Sequence, residues 1–113
     1  MHEAGVTESI LKIALQTAEK AGAKRIGRIH IVIGDLSGFV GESIKFYFEF
    51  LSKDTAAEGA ELVFRKVPAR FLCQSCGREF ESNDGSWICP HCGAAGAEIV
   101  SGREFSMESI EVD

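Results

Sequence analysis

Cys73-Gln-Ser-Cys76-Gly77 and Cys89-Pro90-His91-Cys92-Gly93, with twelve residues between Cys76 and Cys89, form two C-x2-C-G knuckles. A two-residue gap lets both thiolates of a knuckle reach one ion. The glycine after each second cysteine accepts the positive φ that the returning turn demands. Four thiolates at this spacing ask for a tetrahedral cation, and zinc suits both their softness and their geometry. So few apolar residues surround the knuckles that an ion is needed to pin the hairpins there into a ribbon.

Other readings of the knuckles are weaker. They are also similar to those of rubredoxin, which hold one redox iron, but the intervening segment is short and offers few aromatics to wall off an electron-transfer site. Purified protein without colour would dispose of iron. A thioredoxin-like dithiol needs a strand that opens a helix at C-x2-C, and neither knuckle has one.

The chain of 113 residues is 45% apolar and 26% charged, ordinary for one compact domain carrying a small module. No apolar run approaches membrane-spanning length, and Met1-His2-Glu3-Ala4 lacks the basic-then-apolar order of a secretory signal. These features predict a cytoplasmic protein with reduced cysteines and no membrane partner. The formal net charge is −5, and in the cysteine segment Arg70 and Arg78 face Glu79, Glu81, Asp84 and Glu98. Four thiolates on one divalent ion make that segment more negative still. A nucleic-acid-binding ribbon needs the opposite sign to displace phosphate counterions, so nucleic acid is not expected as a partner. A regulatory or nucleic-acid-binding zinc ribbon is kept as the alternative function, and salt-sensitive binding to DNA or RNA would favour it.

Outward from the knuckles the pattern predicts an α+β fold: a small three-stranded sheet with two helices, and an inserted zinc-ribbon module. A helix is expected over residues 5 to about 21, with Val6, Ile10, Ile13 with Ala14, Thr17 with Ala18, and Ala21 on one face. Thr7 or Ser9 could cap its start, though a start just after Glu3 also fits and would leave Met1 and His2 as a short free arm ahead of it; Gly22 ends it as a C-terminal cap. The period changes to two from Arg25 to Ile33, where Ile29, Ile31 and Ile33 alternate with Arg28, His30 and Val32. His30, with no co-ligand nearby, reads as a side chain on the wetter face. Gly34-Asp35-Leu36-Ser37-Gly38 is a turn, since neither phosphate-loop pattern is present.

A second helix over roughly 42 to 53 is expected to bury Ile44, Tyr47, Phe48 and Leu51, with Phe46 and Phe50 widening the stripe. A strand follows over about 60 to 67, and Pro68 marks the way out of it. Within the ribbon, Arg70-Phe71-Leu72, Glu79-Phe80-Glu81 and Trp87-Ile88 are strand candidates, with Asn83-Asp84-Gly85 as a turn. The last strand, about Arg103 to Val112, changes parity near Glu108-Ser109 and predicts a bulge. Residues 1–67 and 102–113 then make one α/β domain, residues 68–101 the inserted ribbon, and the strands flanking the insertion neighbour each other.

The extreme start carries different chemistry. A free terminal amine, the amide nitrogen between Met1 and His2, and the His2 imidazole can close adjoining chelate rings on one ion, with Glu3 beside them. Amide and imidazole nitrogens in one plane suit nickel(II) and copper(II) and suit zinc poorly.

With both ends in view, the sequence resembles the HypA/HybF family of nickel metallochaperones for nickel-iron hydrogenase maturation. The resemblance rests on Met1-His2-Glu3, Gly22-Ala23-Lys24-Arg25-Ile26, Ile33-Gly34-Asp35-Leu36-Ser37-Gly38, Phe46-Tyr47-Phe48-Glu49, Glu58-Gly59-Ala60-Glu61-Leu62, both knuckles and Ser109-Ile110-Glu111-Val112. It implies Ni2+ as transferred cargo at His2 with Glu3 beside it, and structural Zn2+ on Cys73, Cys76, Cys89 and Cys92. His91 and Glu42 are the groups available to complete the nickel site, since Val40 cannot ligate. The implied partners are a GTPase accessory protein of the same maturation pathway, the hydrogenase large-subunit precursor and a second copy in a homodimer. No nucleophile with a neighbouring base and no nucleotide loop stands in the sequence, so no enzyme activity is expected.

Overall fold

The structure, a computed structural model, describes residues 2–81 and 87–113, with His2 described by its backbone alone. The elements run α1 (His2–Lys20), β1 (Ile26–Gly34), α2 (Gly41–Leu51), β2 (Glu61–Val67), β3 (Arg70–Cys73), β4 (Glu79–Glu81), β5 (Ala97–Ser101) and β6 (Phe105–Val112). They form two three-stranded sheets, ordered β2-β1-β6 and β4-β3-β5. The expected α+β class, with two helices and a small three-stranded main sheet, is what is observed. The Asn83-Asp84-Gly85 turn lies outside the described residues.

Helix α1 begins at His2, so the helix takes in the second residue of the anticipated free arm; Met1 lies outside the described residues. Thr7 and Ser9 do not cap it: both hydroxyls donate within the helix to carbonyls four residues back, of Glu3 and Gly5 respectively. The buried face is Thr7, Ile10, Leu11, Ala14 and Ala18, whereas Ile13 is 49% exposed and Thr17 lies outside. The expected face was therefore out of phase, because residues 10 to 15 are apolar on nearly every side and the choice falls to what packs against them. Gly22 ends the helix as anticipated, at φ 70°. The Gly22 amide donates to the Glu19 carbonyl and the Ala23 amide to the Ala18 carbonyl, a Schellman arrangement.

Strand β1 is central, parallel to β2 through the α2 crossover and antiparallel to β6. Ile29, Ile31 and Ile33 join α1, Ile44 and Phe48 of α2, and Leu62 in one core. The opposite face is wet at Arg28 and half-exposed at His30, but Val32, expected there in the open, is buried. There Arg28 reaches Glu61 (2.9 Å) and Glu111 (3.1 Å), His30 Nε2 lies 2.6 Å from Glu111, and Arg65 reaches Glu108 at 2.8 Å. The bulge on β6 is observed: Ile31 faces Met107 and His30 faces Ser109, leaving Glu108 unopposed. That extra residue lets Met107 and Ile110, three apart, pack on the same core.

Several expectations are corrected. In α2 only Ile44 and Phe48 are buried, while Phe46, Phe50 and Leu51 are exposed. Trp87-Ile88 is not a strand, and Ala97–Ser101 supplies the third strand of the small sheet instead. The strands flanking the insertion are not neighbours, because β1 lies between β2 and β6.

The two sheets keep separate cores. The radius of gyration is 17.7 Å and the extents 54 × 27 × 16 Å, against roughly 13 Å for a compact chain of this length. The molecule is elongated into two lobes, joined where Gly34, Gly102 and Ala69 cross. Leu36 donates its amide to the Gly102 carbonyl (2.6 Å), Gly34 to Glu104 (2.7 Å) and Asp35 to Val67 (3.0 Å).

Candidate metal centre

Strand β3 delivers Cys73 to the tip of the small sheet, where each knuckle folds back by the same hydrogen bonds. The Gly77 amide donates to the Cys73 carbonyl (3.0 Å) and the Cys73 amide to Arg78 (2.9 Å); in the second knuckle Gly93 donates to Cys89 (2.8 Å) and Cys89 to Ala94 (3.0 Å). Gly77 and Gly93 sit at φ 74° and 77°, the left-handed region expected of both. Amides turn toward sulfur: Cys76 N–H to Cys73 Sγ at 3.5 Å and His91 N–H to Cys89 Sγ at 3.3 Å.

This brings the four sulfurs within 4.8 Å of one another. Cys73 and Cys92 are 3.5 Å apart and Cys76 and Cys89 3.7 Å, and all four cysteines are free of disulfides. A tetrahedron with metal–sulfur bonds of about 2.3 Å has edges of roughly 3.8 Å, so the donor set and its dimensions fit zinc. Cys73 and Cys89 are buried on one side by Phe71 and Phe80, which stack at 5.4 Å, with Trp87 4.9 Å from Phe71. Cys76 and Cys92 face solvent.

Metal-free, the thiols share charge unequally. The Cys76 amide, aided by that of Ser75 and by the Cys92 and Cys76 thiols, lowers Cys73 to about 6 against the pull of burial. At Cys92 the Ala94 amide lowers the pKa, but the Cys73 and other neighbouring thiols and burial outweigh it, pushing the group up to about 11. Cys76 is likewise raised: the Arg78 amide is outweighed by burial and by Cys73 and Cys89. The Cys73 thiolate forms readily, whereas Cys76 and Cys92 resist until a dication compensates them, so metal binding here releases protons.

The other candidates are not gathered in this way. Among the described residues the four cysteines are the one group of three or more ligand side chains close enough for a metal. The His2 side chain lies outside the described residues. Glu3 is half-buried in the first turn of α1, and Glu42 and His91 are exposed. Since α1 returns through a short connection to β1, its start lies at the end of the main sheet where β1 finishes. That end also holds the first turn of α2, with Glu42, and the junction between the lobes. Of the junction residues, Gly34 fell within a predicted turn, while Gly102 and Glu104 were not marked by any motif. Beside the junction a cleft of about 580 Å³ runs between β1, β2 and the start of α2, lined by Asp35, Phe39, Glu42, Phe64 and Lys66.

Fold and cluster together define a metal-binding α+β protein with a tetrathiolate lobe. A model of the HypA family, described as hydrogenase/urease nickel incorporation, metallochaperone, matches residues 1–112. The chain belongs to this family. The hydrogenase maturation factor HypA of Dehalococcoides mccartyi is 47% identical over 113 residues, covering 100% of this chain and 95% of that one. HypA of Caldanaerobacter subterraneus is 46% identical over 114 residues, covering 100% of both. The solution structure of the Ni metallochaperone HypA from Helicobacter pylori superposes with a TM-score of 0.64 over 97% of this chain and 96% of that one, at 22% identity, which speaks for the fold alone. No helix among the described residues is long and apolar enough to cross a membrane.

Proposed function

We propose that this protein carries nickel(II) for the maturation of nickel-iron hydrogenase and is not itself an enzyme. Nickel binds at the start of the chain, through the terminal amine, the Met1–His2 amide and the His2 imidazole, with Glu3 beside it. Zinc on Cys73, Cys76, Cys89 and Cys92 is structural and shapes residues 68–101 as a ribbon, while residues 1–67 and 102–113 form the nickel-binding domain. The carrier acts in the cytoplasm, passing its ion between a GTPase accessory protein and the hydrogenase large-subunit precursor.

The observation that carries this reading is the family match over residues 1–112, which spans both the His2-Glu3 start and all four cysteines. Two physical features support it. The first amides of a helix have no intrahelical carbonyl to bond, so with α1 beginning at His2 the amides needed for nickel are taken from no hydrogen bond. The partial positive charge of a helix N-terminus favours deprotonated amide ligands and works against a cation, which suits a cargo that must leave. The sulfur site, partly buried and tetradentate, suits an ion that stays.

The test is metal analysis of protein with its native start. His2→Ala, or blocking the terminal amine with an N-terminal extension, abolishes nickel binding while zinc stays near one per chain. Retained nickel affinity in either form overturns the site.

A further inference from the structure

The four sulfurs of the cysteine lobe approach one another across the knuckles. Cys73 lies 3.5 Å from Cys92 and Cys76 lies 3.7 Å from Cys89, the partners standing 19 and 13 positions apart in the chain. Each couple joins a buried cysteine, Cys73 or Cys89, to an exposed one, Cys92 or Cys76. A disulfide holds its sulfurs at about 2.05 Å, so each couple must close by roughly 1.5 Å to form one. Inside a knuckle the buried sulfur is already engaged: Cys73 Sγ accepts the Cys76 amide at 3.5 Å and Cys89 Sγ the His91 amide at 3.3 Å. The turn itself is closed by the Gly77 and Gly93 amides on the Cys73 and Cys89 carbonyls, at 3.0 and 2.8 Å. Drawing the two sulfurs of one knuckle together works against these bonds, whereas closing a couple across the knuckles leaves each turn as it is.

The geometry points to a redox device: hydrogen peroxide converts the cluster to the cross-knuckle disulfides Cys73–Cys92 and Cys76–Cys89, expelling the ion while the lobe stays folded. The inference rests on the zinc reading above. Metal-bound cysteines are thiolates, the form that attacks peroxide. The exposed thiolate of a couple, Cys92 or Cys76, takes one oxygen as the O–O bond breaks, becoming a sulfenic acid and releasing hydroxide. Its buried partner, Cys73 or Cys89, then attacks that sulfur, forming the S–S bond and expelling a second hydroxide. Each couple thus passes two electrons to one peroxide, and two protons from water convert the hydroxides to water. Disulfide sulfur carries no charge, so with both couples closed the soft anionic donors that held the ion are gone. Both disulfides link the first knuckle to the second, which is the mechanical task of the ion. The small core of Phe71, stacked on Phe80 at 5.4 Å and covered by Trp87, keeps its frame. Chelation removes the ion and leaves four unlinked thiols, so the two routes to the metal-free chain end in different states.

Hydrogen peroxide added to the full chain, purified with its metal, tests the device. Metal analysis before oxidation reads the zinc assignment by itself: protein purified without zinc strikes that assignment, while the disulfide map of the same sample still decides the pairing. The expected result is release of zinc to a chromogenic indicator, which a peroxide-free control does not show, together with peptides linked as Cys73–Cys92 and Cys76–Cys89 in mass spectrometry. Amide resonances of β3, β4 and β5 shift but stay dispersed, in contrast to their collapse under a strong chelator. A dithiol with added zinc restores the starting spectrum. Disulfides within the knuckles, Cys73–Cys76 and Cys89–Cys92, overturn the proposal. So does zinc retained after peroxide treatment, sulfinic acid in place of disulfide, or loss of dispersion in β3 to β5.

Discussion

At Gly34 a methyl group would lie 2.0 Å from the Gly102 carbonyl oxygen and 2.3 Å from its carbon, and backbone atoms cannot rotate out of the way. Gly102 in turn sits at φ 115° with a Cβ position 2.8 Å from Ala69 Cα. Gly34→Ala is therefore expected to force the crossing open and cost about 2–4 kcal/mol in urea unfolding, with zinc content retained; a loss within about 0.5 kcal/mol would contradict the close approach. On the wet face, His30 and Arg28 hold the Glu111 carboxyl below its ordinary value of 4.5 by hydrogen bonding and charge. A carboxylate with a depressed folded pKa stabilises above its unfolded value, and that contribution is lost as pH falls through the folded one. Glu111→Gln should flatten the decline of the urea midpoint as pH falls below 4.5, and an unchanged decline would contradict the pairing. The knuckle glycines were legible from the sequence because each lies next to the cysteine that requires it. The clasp at Gly34 was not, because the atom it must avoid belongs to a residue far along the chain.

Among the elements, helix ends and strand parity were more legible than helix faces. Gly22 is the clearest case: its left-handed backbone and its two capping bonds close α1 at the residue where the apolar pattern stops. Gly22→Ala should cost about 1 kcal/mol, read as a lower thermal midpoint with an unchanged far-UV spectrum, because Cβ is disfavoured at positive φ while the space around it is open. The β6 bulge was likewise written in the slip of parity at Glu108. The faces of α1 and α2 were not. Ile10, Leu11, Ile13, Ala14 and Leu15 leave two readings of one helix, and Ile44 to Leu51 is apolar almost all round. Packing of α1 against α2 and β6 selects the buried side. Strand β5 was missed because apolar Val100 stands at an exposed position beside Ile99, so residue polarity does not follow the alternation of burial.

The molecule as a whole is two lobes of unequal self-sufficiency. The main lobe buries residues from both helices and from β1 and β2, whereas the small core comprises Ala69, Phe71, Cys73, Phe80 and Cys89, two of them cysteines of the sulfur cluster. Removing the ion leaves crowded thiols, with Cys92 pushed up to about 11 and unable to ionise near neutrality. A strong chelator should then collapse amide dispersion for β3, β4 and β5 in a two-dimensional NMR spectrum while resonances of β1, β2 and β6 keep their shifts. Loss of every dispersed resonance at once would show that the main lobe depends on the metal. The junction hydrogen bonds from Gly34, Asp35 and Leu36 tie the cysteine lobe to the end of the main sheet where β1 finishes.

The sequence by itself determined the gathering of four thiols at knuckle spacing, the presence of two helices and a three-stranded sheet, and the points at which elements stop, because these follow from residue type and backbone preference within a few residues. Tertiary structure alone decided which side of each helix is buried, which strand completes the cysteine lobe, and how the lobes are clasped. Those choices rest on contacts between residues distant in the chain, where no local pattern records the partner.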